Sequence, residues 1–191
     1  MPGSASQKKK WREKRDAAYY GSARHFYRAL YTGNMDSEGF VVRRFNRELN
    51  PERPPESLVQ KKFKQFKNMP DSINYWARLA ALPKYYHENL VREPLKTYDI
   101  LFRVEQPGVY ALGADKYLYV MYTKKHEETN FKDLYRPLDM ENFETTVITL
   151  FNPYIYFDMN GTVLGDPPLY EGTWSKAKLA ELLPVDYVPG D

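Results

Sequence analysis

The 191-residue chain has no cysteine, which excludes disulfide scaffolds, Cys-ligated zinc, iron–sulfur clusters and thiol catalysis. Long apolar runs are also missing: nothing approaches the ~18 consecutive residues that mark a membrane-spanning helix. Histidine occurs three times, at positions 25, 87 and 126, with no metal-ligand spacing and no H-E-x-x-H pattern. Glycines never gather into G-x-G-x-x-G or G-x-x-x-x-G-K-[ST], so no loop is built to cradle phosphates. Ser22 and Ser175 lack the G-x-S-x-G context of a nucleophile elbow. The first residues, Met1 to Gln7 and then Lys8-Lys9-Lys10, contain no apolar stretch of the kind a secretory signal requires.

Aromatic residues are plentiful. There are 17 Tyr, 10 Phe and 3 Trp, 16% of the chain. Tyrosine joins a broad apolar face to a hydroxyl that tolerates water, so it suits half-buried sheet faces and binding surfaces. Charge is split unevenly. Residues 1–70 hold 16 Lys+Arg and 7 Asp+Glu, a balance of +9, and residues 71–191 hold 12 and 18, a balance of −6. Such asymmetry marks a contact with an anionic partner or an attraction between the two halves.

The periodicity divides the chain. Residues 1–10 read as a disordered basic lead-in, residues 11–95 as a mainly helical part, and residues 96–191 as an antiparallel β part with a C-terminal helix, the last two co-folded as one domain. Trp11 to Tyr20 reads as a charged helix. Ser22 caps a second helix whose apolar face carries Phe26 and Leu30, and Gly33 ends it. A short strand is expected at residues 38–42. Further helices are expected over 56–67 and 73–82, the latter capped by Asp71 or Ser72. From Lys96 alternation replaces the helical period, with strands at 98–104, 109–112, 117–122 and 143–151. A strand at 154–158 enters a type I′ turn at Asn160-Gly161 and returns through 162–164. A terminal helix over 175–183 ends at Pro184. Helices first and strands second give an α+β fold, with N-terminal helices packed on a mostly antiparallel sheet.

Little of this is catalytic chemistry. His25 reads as a structural or interface histidine and His126 as part of a solvated charge cluster. Asp158-Met159-Asn160-Gly161 opens like a calcium loop, but the position of the closing bidentate acid is occupied by Leu169. Asp158 and Glu171 are the carboxylates on which a hydrolase would have to rely. The residues Lys8, Lys9, Lys10, Arg12, Lys14, Arg15, Arg24 and Arg28, interleaved with Trp11, Tyr19 and Tyr20, offer phosphate contacts and stacking to a nucleic acid. Glu13 and Asp16 interrupt that patch, and no nucleic-acid motif accompanies it.

Two motifs at opposite ends of the chain resemble a known family. The first is Trp11, Arg15, Ala18-Tyr19-Tyr20-Gly21-Ser22, His25-Phe26 and Ala29-Leu30-Tyr31, followed by Glu38-Gly39-Phe40. The second is Asp158 with Asn160-Gly161, Gly172 with Trp174, Leu182-Leu183-Pro184, Asp186-Tyr187 and Pro189. Together they resemble the C-terminal region of the carboxypeptidase-like regulatory domain-containing proteins of Gram-negative cell envelopes, over nearly the whole chain from Trp11 onward. The resemblance implies an exported protein in which a signal peptide and a small transthyretin-like β-sandwich precede this region. It implies no peptidase activity and carries no catalytic residue over to these positions.

The resulting expectation is a non-enzymatic binding or scaffolding module of a bacterial envelope protein, with no cofactor. Its partner would be a protein, a glycan or an upstream domain of the same polypeptide. The alternative is a soluble nucleic-acid-associated protein using the basic N-terminal helix. The chain is expected in the cell envelope if it is part of an exported protein and in the cytoplasm if it is complete. The motif residues read as packing devices: Gly21 as a bend, Ser22 as a cap, Arg15 as a pair for the acidic half. Trp174 would anchor the last helix, Leu182, Leu183 and Pro184 would lock its end, and Asp186 and Tyr187 would tie down the tail.

Overall fold

A computed structural model describes residues 4–127, 136, 139–176 and 183–190. Its α+β class is the one expected, with N-terminal helices preceding two antiparallel sheets. The chain forms two compact units, residues 1–45 with 90–191 and residues 46–89.

In the larger unit, α1 (Ala5–Tyr19) begins six residues earlier than the sequence suggests, so the expected lead-in is helical from Ala5. The reason is a capping box: Ser4 Oγ accepts the Gln7 N–H while Gln7 Oε1 accepts the Ser4 N–H. Only Tyr19 of this helix is buried. Helix α2 (Ala23–Thr32) is capped by Ser22, whose Oγ accepts the His25 N–H, and it ends at Gly33. It buries His25, Phe26, Tyr27, Ala29 and Leu30. A short turn, α3 (Met35–Glu38), leads into β1 (Phe40–Leu49).

The part expected to be mainly helical, 11–95, therefore contains two long strands, β1 and β2 (Tyr85–Leu95). The short strand expected at 38–42 is the start of β1, which continues past Val42 through Arg-rich sequence where cross-strand pairing rather than apolar alternation sustains it, and β2 was not expected. One sheet has the order β2-β1-β5-β6-β9, with β5 (Tyr117–His126), β6 (Phe143–Thr149) and β9 (Leu169–Gly172) completing it. β5 lies at its centre, and its residues from Tyr117 to Tyr122 are all buried, as expected of a strand covered on both faces. In the register Phe40 faces Tyr122 and Val42 faces Val120.

The second sheet is β3 (Leu101–Arg103), β4 (Val109–Gly113), β7 (Tyr154–Asp158) and β8 (Val163–Leu164), in that order. The strand expected at 98–104 is shorter because Thr97–Ile100 forms a helical turn, α6, in which Asp99 Oδ2 accepts the Lys96 N–H at 2.8 Å. Leu112, Ile155 and Phe157 point from this sheet into the same core as Leu118, Val120 and Ile148 from the first. Helix α2 packs with both: Phe26 meets Phe40 at 5.4 Å between ring centroids, and Tyr27 meets Phe157 at 4.9 Å.

The Asn160-Gly161 hairpin forms, but not through a type I′ turn, which would need positive φ at both central residues. Only Gly161 has positive φ there, 75°. Gly161 N–H donates to Asp158 O at 2.9 Å, and Asp158 N–H to Thr162 O at 3.0 Å, a type I turn followed by a bulge glycine. Ser175 and Lys176, where the terminal helix was expected to begin, belong to a 3₁₀ turn over Thr173–Lys176, and residues 177–182 of that span lie outside the described residues.

The smaller unit holds α4 (Glu56–Gln65) and α5 (Pro70–Ala81). α4 buries Val59, and Lys62 Nζ lies over the rings of Phe66 and Trp76. α5 begins at Pro70 instead of being capped by Asp71 or Ser72, because proline at the first helical position has the helical φ built in. Here Arg47 Nε pairs with Glu88 at 2.9 Å beneath the Tyr85 ring.

Candidate functional site

The two motifs, far apart in sequence, meet in the larger unit. Their junction starts at the bend between α1 and α2, where Gly21 takes φ 85°. Gly21 N–H donates to His25 Nδ1 at 3.1 Å, and Gly21 O accepts the indole N–H of Trp174 at 2.7 Å. The Trp174 ring lies 5.5 Å from Phe26 and 5.3 Å from Tyr170, so the C-terminal motif is seated on the first turns of α2.

His25 is buried and ringed by Tyr19, Tyr20, Phe40 and Tyr122. Because Nδ1 accepts a backbone N–H, the neutral ring carries its proton on Nε2, and that nitrogen donates to Glu38 Oε2 at 3.1 Å. Burial pushes the imidazole below its ordinary pKa, with the Glu38 hydrogen bond pulling the other way. Both nitrogens are therefore engaged within the fold, and neither is presented to a substrate or a metal.

Two arginines of α2 hold the tail. Arg24 Nη1 donates to the carbonyls of Leu183 and Pro184. Arg28 donates through Nε to Asn160 O at 2.9 Å, through Nη1 to Tyr187 O at 2.6 Å and through Nη2 to Val185 O at 3.1 Å. Arg28 thus ties the β7–β8 hairpin and the tail to one helix face. The Tyr187 hydroxyl donates to Asp16 Oδ1 at 2.5 Å and holds that carboxyl below its usual value. Lys125 Nζ donates to the carbonyls of Ala17 and Tyr20 at the end of α1.

Of the residues singled out in the sequence, Tyr19, Gly21, Ser22, His25, Phe26, Trp174, Pro184 and Tyr187 converge here. Arg15 is brought to the Tyr187 ring, 5.8 Å from its centroid. Trp11 lies two turns earlier on α1 and is exposed, Asp186 is exposed on the tail, and Leu182 falls outside the described residues. The sequence reading missed Arg24 and Arg28 as tail-holding residues. Their i, i+4 spacing on the helix that carries the first motif was the available signal.

The chemistry of this junction is internal. Asp158 Oδ1, a carboxylate considered for calcium or hydrolysis, accepts the N–H groups of Asn160 and Thr162, both at 2.9 Å. Among the described residues no three His, Asp or Glu side chains are grouped to hold a metal ion, and no helix is long and apolar enough to cross a membrane.

What stays open is aromatic. On the outer face of the second sheet Phe102, Tyr154 and Tyr156 are 41–44% exposed. They lie on the side opposite Leu112, Ile155 and Phe157. α1 also presents five exposed basic side chains, Lys8, Lys9, Lys10, Arg12 and Lys14, with one exposed acid, Glu13, among them.

The fold and the joined motifs define an α+β module in which residues 183–190 are seated on α1 and α2, with an aromatic sheet face turned outward. No family model, curated protein or solved structure matches the chain.

Proposed function

We propose that this chain is a non-enzymatic binding or scaffolding module of a bacterial cell-envelope protein, of the kind the paired motifs resemble. The observation that carries the reading is how the motif residues spend their polar groups. His25 has both nitrogens engaged, Trp174 donates its indole N–H to Gly21, and Arg24 and Arg28 are committed to carbonyls of the tail and hairpin. A motif used up in closing the fold serves construction, and large rings left at the surface serve contact. The partner would then be a protein, a glycan or a neighbouring domain of the same polypeptide.

The test is the address of the native gene product. A chromosomally tagged copy should be recovered with the periplasmic or outer-membrane fraction, and recovery in the cytosolic fraction alone would overturn the reading. The exposed basic side chains of α1 favour a second reading, nucleic-acid association. That reading requires affinity for a short duplex or single strand that falls steeply with added salt and weakens when Lys8, Lys9 and Lys10 are replaced by Gln.

A further inference from the structure

The outer face of the β3-β4-β7-β8 sheet ends in a cleft of about 310 Å³ whose walls include Arg44, Asp99, Phe102, Gly113, Asp115 and Tyr154. We propose that this cleft binds a ring of a neutral saccharide, which gives the binding module proposed above its ligand class and rests on that reading.

The aromatic half of the cleft is built by the register. Phe102 pairs across β3 and β4 with Ala111, and Tyr154 pairs across β4 and β7 with Gly113, so both rings stand on the outer face. They meet edge to face, 5.5 Å between centroids. Gly113 lies beneath them: a Cβ there would sit 2.8 Å from Phe102 Cε2 and 2.8 Å from Tyr154 Cε1. With no side chain at that position the rings close over the backbone and stay on the surface as a fixed platform. Tyr156 continues it along the strand, 6.5 Å from Tyr154.

The same cleft has charged walls. Asp99 is oriented by the bond from Lys96 N–H to its Oδ2. Asp115 adds a second carboxylate and Arg44 a guanidinium. Carboxylates only accept hydrogen bonds and a guanidinium only donates them, so a ligand here must do both. A sugar hydroxyl donates and accepts on one atom, and a pyranose ring lays a C–H face against an aromatic surface. Charge narrows the choice further. A nucleic acid would bring phosphates against Asp99 and Asp115, and a polycationic peptide would bring its charge against Arg44, whereas a neutral sugar requires neither compensation. The volume is at the small end for ligand sites, which suits a single ring with the rest of the chain running over Tyr156.

The experiment is calorimetric titration of the whole chain with chitohexaose, cellohexaose, xylohexaose and mannohexaose, and with octalysine and a short oligonucleotide for comparison. At least one oligosaccharide should bind, with affinity that changes little between about 50 and about 500 mM salt. Phe102→Ala and Tyr154→Ala should each weaken it by about tenfold or more. Because those rings also cover Gly113, Asp115→Asn serves as the control that leaves the packing alone, and it should weaken binding with an unchanged melting temperature. Binding of none of the four, binding that survives both Tyr154→Ala and Asp115→Asn, or binding of octalysine or the oligonucleotide alone would overturn the assignment. Recovery of the native product in the envelope together with no saccharide binding would overturn the ligand class and leave the module reading in place. Cytosolic recovery would remove the module reading whatever the titration shows.

Discussion

Replacing Arg28 by Ala should loosen the tail without unfolding α2. Its guanidinium donates three hydrogen bonds, to Asn160 O, Tyr187 O and Val185 O, and it lies 5.5 Å from the centroid of the Tyr19 ring. Hydrogen bonds from a charged donor contribute roughly 1.5–3 kcal/mol each when their acceptors are shielded. The Val185 carbonyl is in exposed surroundings and will rehydrate, so it contributes little. The two part-buried carbonyls, taken at the low end of that range, give about 3 kcal/mol. With a urea dependence of about 2–3 kcal/mol per molar, the midpoint followed by circular dichroism should fall by about 1–1.5 M. Hydrogen exchange under native conditions gives the local reading: amides of residues 183–190, including the Gly190 N–H bonded to Asp16, should lose protection before those of β5. Arg28→Lys should recover only part of the loss, because a single ammonium cannot reach three carbonyls in different directions. A midpoint lowered by the equivalent of less than about 0.5 kcal/mol, or tail amides exchanging as in the parent, would refute the reasoning.

Three other outcomes follow from the same junction. Gly21→Ala meets both a φ of 85° and a Cβ position 2.7 Å from Tyr122 Cδ1, so it should cost about 3 kcal/mol in urea denaturation, whereas Gly33→Ala, at φ 73° but in open space, should cost only about 1 kcal/mol. Trp174→Phe keeps the ring contacts but leaves Gly21 O without its donor, and it should lower stability by about 2 kcal/mol in the same assay while the chain still folds. His25 has its pKa lowered in the folded state, so below about pH 6.5 the unfolded chain takes up the proton more readily than the folded one, and stability falls as pH drops through that value toward the folded pKa. The protonated ring would also turn Nδ1 from acceptor to donor against the Gly21 N–H. Melting temperature measured from about pH 7.5 down to about pH 5.5 should fall less in His25→Gln than in the parent, and parallel curves would contradict the assignment.

Parts of this structure were legible because they depend on neighbours in sequence. Ser22 as a cap, Phe26 and Leu30 on one helix face and Gly33 as a stop are local geometry, and each holds. The apolar run from Tyr117 to Tyr122 reads as a strand, and its burial on both faces follows from its length and content. The Asn160-Gly161 hairpin was visible, although its turn type was not, since the Asp158 side chain accepts two backbone N–H groups and stabilises the type I form. The continuation of β1 past Val42 and the whole of β2 were hidden in charged sequence, where pairing partners decide the strand.

What the sequence determined by itself is the α+β class, the second helix with its caps and buried face, and the presence of two motifs at opposite ends of the chain. Only the tertiary structure decided what those motifs do. Arg28 and Tyr187 are 159 residues apart and Trp174 and Gly21 are 153 apart, so their contacts leave no periodic trace along the chain. The tautomer of His25 was fixed by a bond from Gly21 and one to Glu38, and the aromatic cleft was fixed by the register of β3, β4 and β7. Local propensity acts over three or four residues, whereas seating of the tail and placement of a cleft are set by which strands and helices come to lie side by side.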